Sequence, residues 1–328
     1  MPSVLKSKQK TNNIKSKLSR YKHLLVLVFV AVILLISTNI LKSIHSNSFA
    51  DTQASTVTCN KAVGPFTQKG AKIFQADGKQ FIPYGITVYG LAGSDYQIQQ
   101  ATVAAQINAA AAAWCSNIVR LQVAPKNLIG SNGTTYSQTF MDAINSAVSI
   151  AEKNNMVVVI SAQTEKIGQV KQPVASTAQF WKDITNVYGN DPQVIFDLFN
   201  EPRLQTGNIT TDWQIWQKGA FYSGTMYLGM QTLADDVRSY GAKNLLWIEG
   251  PEGAGTLDQV GSYPIKGANP FMYAIHHPVG SHDSTTWDSD FGYLVKNGIA
   301  PVVDGEWTNY ASSTQSECWP DAPTTVSA

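Results

Sequence analysis

The feature that most constrains the fold is a repeated alternation of short apolar segments with longer helical patterns, which begins near residue 71. The apolar segments are rich in Val, Ile and Phe. Short, nearly continuous apolar strands that alternate with helices are typical of a parallel sheet covered on both faces. Seven strands are legible, at residues 81–90, 118–124, 156–163, 194–200, 244–250, 271–278 and 300–307. Helical patterns lie between them, at residues 98–115, 139–155, 177–189, 227–243 and 284–298.

This rhythm fits a (β/α)8 TIM barrel better than an open doubly wound α/β sheet. No glycine-rich phosphate loop follows the first strand, which argues against a nucleotide-binding fold. Only 21 residues follow Trp307, and they contain no apolar strand. We therefore expect a barrel over residues 71–328 whose C-terminal βα unit is missing, with residues 51–70 as a lead-in segment.

The first 50 residues differ in composition from the rest. A lysine-rich stretch precedes an apolar run from Leu24 to Leu41, and the small residues Ser48 and Ala50 follow. This order predicts a secretory signal peptide cleaved after Ala50. The run is also about as long as the shortest spanning helices, so an uncleaved signal-anchor with its basic end in the cytoplasm stays open. Either alternative predicts export, to the extracellular space or to a membrane-anchored position at the cell surface.

The charge of the exported part bears on its partners. Residues 1–50 hold eight of the 24 basic residues and none of the 23 acidic ones, so the remaining chain has 16 basic and 23 acidic groups, a net charge of −7. An acidic domain argues against nucleic acid as a partner, because phosphate binding requires a basic face. A neutral substrate fits better.

Export makes disulfides possible. The chain has three cysteines, Cys59, Cys115 and Cys318, so three pairings are open. We prefer Cys59 with Cys115, which would tie the start of the domain to its body, although free buried thiols fit equally well. The cysteine spacing resembles no metal site, and we expect neither a metal nor another cofactor.

Polar side chains stand at the carboxyl ends of five of the seven strands. This is the face where barrel enzymes place their chemistry. Each residue has a structural alternative: Asn200-Glu201-Pro202 can cap a helix, and Arg120 or His276 can be a paired core residue. Five polar strand ends together favour a functional site. The candidates are Arg120, Gln163, Asn200, Glu201, His276, Glu306 and Trp307.

Two of these candidates, Glu201 and Glu306, are carboxylates on different strands. Such a pair suits cleavage of a glycosidic bond, in which one acid protonates the departing oxygen and the other attacks the anomeric carbon. A separation of about 5 Å supports retention of configuration. The two groups need different environments so that one is protonated while the other is ionised. Arg120 would keep the nucleophile charged, and His276 would orient the pair.

The segment VIFDLFNEPR, residues 194–203, resembles glycoside hydrolase family 5, the cellulase family, in which an apolar strand ends in Asn-Glu-Pro. The resemblance extends from about residue 81 to the C-terminus through YGITVYGL, NIVRLQV, YAIHHP and VVDGEW. It implies that Glu201 is the general acid/base and Glu306 the nucleophile. It further implies that Asn200 binds the sugar 2-hydroxyl, Arg120 supports the nucleophile and His276 supports the pair. Gln163 would replace a histidine as a neutral hydrogen-bonding group.

The expected function is therefore an exported, retaining endo-glycosidase that hydrolyses a β-linked polysaccharide, with β-1,4-glucan as the first candidate. A mannanase-type hydrolase and a non-catalytic carbohydrate-binding barrel are the alternatives. Trp307 is expected to contact sugar. Trp213 and Trp216 fit a subsite wall and a packed core equally well, whereas Trp181 and Trp247 are expected to pack in the core.

Overall fold

The computed structural model describes Cys59 and residues 61–131, 133–163, 170–278 and 286–308. The chain divides into two units, residues 1–58 and 59–328, and every described residue belongs to the second. The signal or anchor segment predicted at residues 1–50 and the third cysteine, Cys318, lie outside the described residues. Among the described helices, none is long and apolar enough to cross a membrane.

The described residues form strands and helices in close alternation. The strands are β1 (Thr67–Lys69), β2 (Lys72–Phe74), β3 (Gly85–Leu91), β4 (Ile118–Val123), β5 (Val157–Ala162), β6 (Val194–Asp197), β7 (Gly219–Tyr222), β8 (Thr225–Leu228), β9 (Leu246–Glu249), β10 (Phe271–Pro278) and β11 (Val302–Thr308). The helices are α1 (Tyr96–Trp114), α2 (Pro125–Ile129), α3 (Gln138–Lys153), α4 (Ala175–Tyr188), α5 (Ile209–Lys218), α6 (Met230–Ser239), α7 (Pro251–Ala254) and α8 (Tyr293–Lys296), the last preceded by a π-helical turn (Asp288–Gly292).

Seven parallel strands form the central sheet, in the order β11-β10-β9-β6-β5-β4-β3. All seven predicted strands are present. The sheet is curled, because Arg120 on β4 contacts Glu306 on β11 at 2.6 Å although four strands lie between them. In a flat sheet the two strands would stand about 24 Å apart, given the usual strand spacing. Among the described residues, no strand joins β11 to β3. The sheet is that of a (β/α)8 barrel that lacks one βα unit in the described part, as predicted.

Alternate residues of each strand face opposite sides, which divides the core into two layers. One apolar cluster lies inside the curl and includes Val157 and Val159 of β5 and Ala274 of β10. The residues between them, such as Val158 and Ile160, belong to the larger cluster that packs against the helices. Parallel strands buried on both faces need apolar residues at nearly every position, which explains the continuous apolar runs in the sequence.

The hairpin β1–β2 and the segment before it close the amino-terminal end of the curl. Ala62, Phe66 and Ile73 belong to the inner apolar cluster, and the rings of Phe66 and Phe81 lie 4.6 Å apart. Cys59 forms a disulfide with Cys115 at the end of α1, the pairing preferred from the sequence. The described part of the predicted lead-in segment is therefore attached to the barrel by both packing and a covalent link.

Two elements differ from the sequence prediction. Residues 209–218, for which no helix was predicted, form α5. Its N-cap is Asn208, whose side chain accepts a hydrogen bond from the Thr211 amide at 3.0 Å. The hairpin β7–β8 then occupies the first residues of the segment predicted as one helix over 227–243, so that α6 begins only at Met230. Helix α6 ends before Gly241, which takes the left-handed φ of 95° that lets the chain leave the helix.

Candidate active site

Arg120 lies at the centre of a polar network at the carboxyl end of the sheet. It sits on β4 and is only 3% exposed. Because the guanidinium is a rigid planar fork, it fixes several acceptors at once. The nitrogens donate to Asp197 Oδ2 at 2.7 and 2.9 Å, Glu306 Oε1 at 2.6 Å, Glu249 Oε1 at 2.8 Å, Asn200 Oδ1 at 2.7 Å and Ser161 Oγ at 2.9 Å. One cation thus joins side chains from four other parts of the sheet.

Glu201 follows β6 and has a left-handed backbone with φ of 54°. A non-glycine residue in this region stores strain of about 1–3 kcal/mol, so the surrounding contacts must hold it there. Its amide donates to Glu249 Oε2 at 2.5 Å, and its side-chain Oε1 lies 3.3 Å from His276 Nδ1. The other carboxylate oxygen, Oε2, pairs with Arg203. Backbone conformation and two cationic partners thus determine where the Glu201 carboxyl group points.

Glu306 reaches the same place by means of a bulge in β11. Val303 pairs with Ala274, and Glu306 pairs with His276, so three steps along β11 match two steps along β10. The additional residue is Gly305, and a Cβ at that position would lie 3.1 Å from His276 Nε2. Since side chains alternate between faces, one extra residue returns the Glu306 side chain to the inner face that Val303 occupies.

The two glutamates therefore face a common gap. Glu201 and Glu306 each have a carboxylate oxygen, and His276 has a ring nitrogen, that all lie within 4.8 Å of one another. His276 Nδ1 is 4.0 Å from Glu306 Oε2. Glu306 also accepts hydrogen bonds from Arg120 and Gln122. Glu306 is thus held by Arg120, while Glu201 contacts both Arg203 and the imidazole ring of His276, which can give and take a proton.

The charge of His276 is set by the acids around it. Burial alone would favour the neutral ring, but the charge of Glu249 and the hydrogen bond to Glu201 raise the pKa of His276 to about 10. Burial would likewise raise the pKa of Glu201, but hydrogen bonds and charges from His276 and Arg203 bring it below its ordinary value. In the free protein His276 is thus an imidazolium and Glu201 a carboxylate.

Asp197 is the innermost acid of the network and is fully buried. Burial, followed by the charge of Glu249, raises the pKa of Asp197 to about 7 despite its contact with Arg120. Its Oδ1 is buried without a hydrogen-bond partner among the described residues. Near neutral pH, the carboxyl group of Asp197 is therefore protonated to a much larger extent than that of an exposed aspartate.

The close approach of Glu201, His276 and Glu306 also raises the question of a metal ion. A histidine ligates a metal as the neutral ring. The raised pKa of His276 favours the imidazolium, which has no free lone pair. A metal ion would have to displace this proton before His276 could act as a ligand.

The structure brings five of the seven sequence-predicted site residues together: Arg120, Asn200, Glu201, His276 and Glu306. Trp307 follows Glu306 on β11 and is 45% exposed. Gln163 follows β5 and forms no hydrogen bond with either glutamate among the described residues. It is buried beyond the end of β5 and borders a cavity of about 220 Å³ together with Ala162 and Phe199.

The sequence reasoning missed four residues of the network: Gln122, Ser161, Asp197 and Glu249. A signal for them was present, because each stands two positions after an inward-facing residue of the same strand: Arg120, Val159, Ile195 and Trp247, respectively. Period-two alternation along a strand assigns all of these to the inner face. The prediction used only the residues at the strand ends.

The tryptophans whose role the sequence left open are packed. Trp213 and Trp216 are fully buried on α5, with ring centroids 5.0 Å apart, and Trp216 Nε1 donates to the Glu249 carbonyl oxygen at 2.8 Å. They support the end of β9 and form no subsite wall. Trp181 and Trp247 are also buried, as predicted.

Comparisons with known proteins identify the family of this chain. Residues 74–325 match the family described as cellulase, glycosyl hydrolase family 5. A cellulase from Thermoanaerobacterium, CelDZ1, is 26% identical over 186 residues, which cover 56% of this chain and 45% of that protein. Endoglucanase A of Butyrivibrio fibrisolvens is 23% identical over 268 residues, covering 80% of this chain and 57% of the relative.

Solved structures share the fold. The β-glucanase SdGluc5_26A from Saccharophagus degradans superposes with a TM-score of 0.61 at 17% identity, over 81% of each chain. This chain spans only 25–57% of the length of the first four curated relatives that it matches. Since the family match covers most of its residues, the chain belongs to the cellulase family, glycosyl hydrolase family 5.

Proposed function

We propose that this protein is a retaining endo-glycosidase that hydrolyses a β-linked glucan by double displacement, with β-1,4-glucan as its first substrate. The observation that carries the proposal is the separation of the Glu201 and Glu306 carboxylates, whose nearest ligand-type atoms lie within 4.8 Å. Retaining glycosidases place their two carboxyl groups about 5–5.5 Å apart, whereas inverting enzymes need about 6.5–9.5 Å to admit a water molecule.

The surroundings support a division of roles. Glu306 is the nucleophile, because Arg120 and Gln122 donate to the same oxygen, Oε1, and leave Oε2 for the anomeric carbon. Glu201 is the acid and then the base, because it contacts His276, a group that titrates. Asn200 stands next to Glu201 with its Oδ1 held by Arg120 at 2.7 Å. The Asn200 amide NH₂ group is then oriented to donate to a sugar hydroxyl.

Several further features of the proposal rest on other observations. Trp307, exposed beside Glu306, provides a face on which a sugar ring can stack. The printed names of the curated relatives, cellulase and endoglucanase, support glucan as the first polymer to assay. Export rests on the basic and apolar pattern of residues 1–50, with either a cleaved signal or a membrane anchor. Catalysis by the two glutamates needs no cofactor.

The proposal is tested first by substitution of the nucleophile. We expect Glu306→Ala to lower kcat on cello-oligosaccharides by at least about a thousandfold, because no covalent intermediate can form. Azide should then restore release of an activated aryl glycoside by occupying the space of the lost carboxylate. Unchanged hydrolysis by Glu306→Ala would contradict the assignment.

Substitution of the acid/base gives an independent result. We expect Glu201→Ala to reduce cleavage of cello-oligosaccharides far more than that of aryl glycosides with acidic leaving groups, since only the former need protonation. Equal losses on both substrates would contradict the role. A screen for reducing ends on glucan, mannan, xylan and mixed-linkage polymers identifies the substrate. Binding of oligosaccharides without cleavage would instead favour the carbohydrate-binding alternative.

A further inference from the structure

We propose that Arg203 is a positioning residue that holds Glu201 as a carboxylate in the free enzyme and thereby lowers the pH above which Glu201 can no longer act as an acid. Arg203 is the last residue of the segment VIFDLFNEPR, and the proposed function gives it no part in the reaction. The inference rests on that function, because it concerns the protonation of the proposed acid/base.

The contact between the two side chains is direct. Arg203 Nη2 donates to Glu201 Oε2, while His276 Nδ1 lies 3.3 Å from the other oxygen, Oε1. Both oxygens of the Glu201 carboxylate therefore face a cationic group. The Arg203 side chain is 41% exposed and that of Glu201 only 13%, so Arg203 is the more exposed partner of the pair.

The backbone is built to receive the Arg203 side chain. Three consecutive residues of α7, Glu252, Gly253 and Ala254, have left-handed φ values of 58°, 74° and 62°. The Gly253 amide donates to the Pro202 carbonyl oxygen at 2.7 Å. A Cβ at Gly253 would lie 2.9 Å from Arg203 Cζ, so the guanidinium rests against bare backbone. We interpret the strained backbone of this turn as the feature that leaves space for the Arg203 guanidinium.

The other charged groups that face Glu201 define what Arg203 adds. His276 approaches from β10, Glu306 from β11, and Glu249 on β9 accepts the Glu201 amide hydrogen. The two acids oppose ionisation of Glu201, and the two cations favour it. Because hydrogen bonds and charge from both His276 and Arg203 contribute to the lowered pKa of Glu201, removing Arg203 must raise it. The carboxylate form is the one needed to deprotonate water, whereas the first step needs the acid form.

The kinetic test compares two variants of Arg203 over the alkaline limb of kcat/KM. Arg203→Gln removes the charge, and Arg203→Lys retains it. The control is Lys171→Gln, which removes an exposed charge from a nearby residue. The Lys171 backbone carbonyl accepts the hydrogen bond of the Arg203 amide. With a cello-oligosaccharide as substrate, we divide kcat/KM of Arg203→Gln by that of the wild type at each pH. We expect this ratio to rise about two- to fivefold along the limb, which corresponds to the usual strength of a partly exposed ion pair. Arg203→Lys and Lys171→Gln should follow the wild type, and an activated aryl glycoside should show no such rise.

A second readout does not depend on turnover. The ¹³C shift of the Glu201 carboxyl carbon, assigned by its loss in Glu201→Gln, is followed against pH. We expect its midpoint to be higher in Arg203→Gln than in the wild type, and to move the same way in Gly253→Ala, which keeps the charge but displaces the guanidinium. Identical midpoints in a folded Arg203→Gln protein would overturn the proposal. A wild type that cleaves no polysaccharide would contradict the proposed function, and the carboxyl titration would still decide the role of Arg203.

Discussion

Four carboxyl groups share this site with three side chains that can be cationic. The acids are Asp197, Glu201, Glu249 and Glu306, and the bases are Arg120, Arg203 and His276. One surplus negative charge among buried groups is costly unless a proton neutralises it. Because of this excess negative charge, the pKa values of Asp197 and His276 are raised, to about 7 and about 10. The network therefore holds protons near the place where the proposed reaction needs one.

This charge balance predicts how the stability of the protein depends on pH. The pKa of His276 rises from 6.5 in the unfolded chain to about 10 in the folded protein. Its contribution to the free energy of unfolding is therefore complete below pH 6.5 and is lost as the pH rises toward 10. Asp197 acts in the same direction at lower pH, from 3.8 to about 7. Between pH 8 and pH 10 we therefore expect the wild type to lose a few kcal/mol of unfolding free energy, on the order implied by such a shift.

The measurement is urea unfolding at pH 8 and pH 10 for the wild type and for His276→Gln. The variant has no imidazole to titrate, so its loss over this interval should be clearly smaller. Equal losses in the two proteins would show that His276 is not the titrating group.

The residues of the site were predictable to different degrees. Glu201 and Glu306 could be inferred because each interrupts an apolar strand at its end, where packing gives no reason for a carboxylate. Asp197 and Glu249 lie within strands whose neighbours are apolar, and their role depends on which face they share with Arg120. Period-two alternation assigns them to one face of their own strands, and the register between strands then places that face beside Arg120.

At the scale of secondary structure elements, the bulge in β11 decides whether the two glutamates meet. If Gly305 were an ordinary strand residue, the alternation that places Val303 inside would place Glu306, three positions later, on the outer face. Deletion of Gly305 leaves two steps between Val303 and Glu306, so regular alternation keeps Glu306 on the inner face opposite His276. We therefore expect a folded deletion variant to retain clearly more activity than Glu306→Ala. Gly305→Ala keeps the chain length and requires a shift of only a few tenths of an ångström at His276, so it should also retain activity.

Both Gly305 variants would be assayed for hydrolysis, with circular dichroism as the check of folding. A folded deletion variant as inactive as Glu306→Ala would show that side-chain alternation along β11 does not by itself orient Glu306.

The sequence was informative about elements wherever one signal was strong. All seven sheet strands were predicted, because their apolar runs are long and their neighbours polar. Helix α5 was not, although Ile209, Trp213 and Trp216 recur at helical spacing after the N-cap Asn208. Two tryptophans close to a predicted site fit a binding surface as well as the buried face of a helix. The bulge was not predictable, because a single glycine before a glutamate has no distinctive pattern.

At the scale of the whole molecule, the sheet curls around the site, and β3 and β11 are its two outer strands in the described part of the chain. An outer strand pairs on one side only, so its amides open more easily than those of a strand paired on both sides. We therefore predict a gradient of hydrogen exchange across the sheet. Amides of β5, fully buried, should exchange at least about a hundredfold more slowly than the outward-directed amides of β3 and β11.

Native-state hydrogen exchange followed by NMR or mass spectrometry measures this gradient. Amides in the helix α3, which packs on the same core, serve as a reference for global unfolding. Equal protection of β3, β5 and β11 would mean that the outer strands are paired on both sides, contrary to this account of the sheet.

The most direct test of the central claim is to trap the covalent intermediate of the proposed reaction. An activated 2-deoxy-2-fluoro cellobioside slows both steps, and its good leaving group allows the glycosyl-enzyme to accumulate. We predict that the intact protein gains the mass of one fluorocellobiosyl group, that the labelled peptide contains Glu306, and that Glu306→Gln gains no label. A label on another residue, or hydrolysis of cello-oligosaccharides with first release of the inverted anomer, would contradict the account.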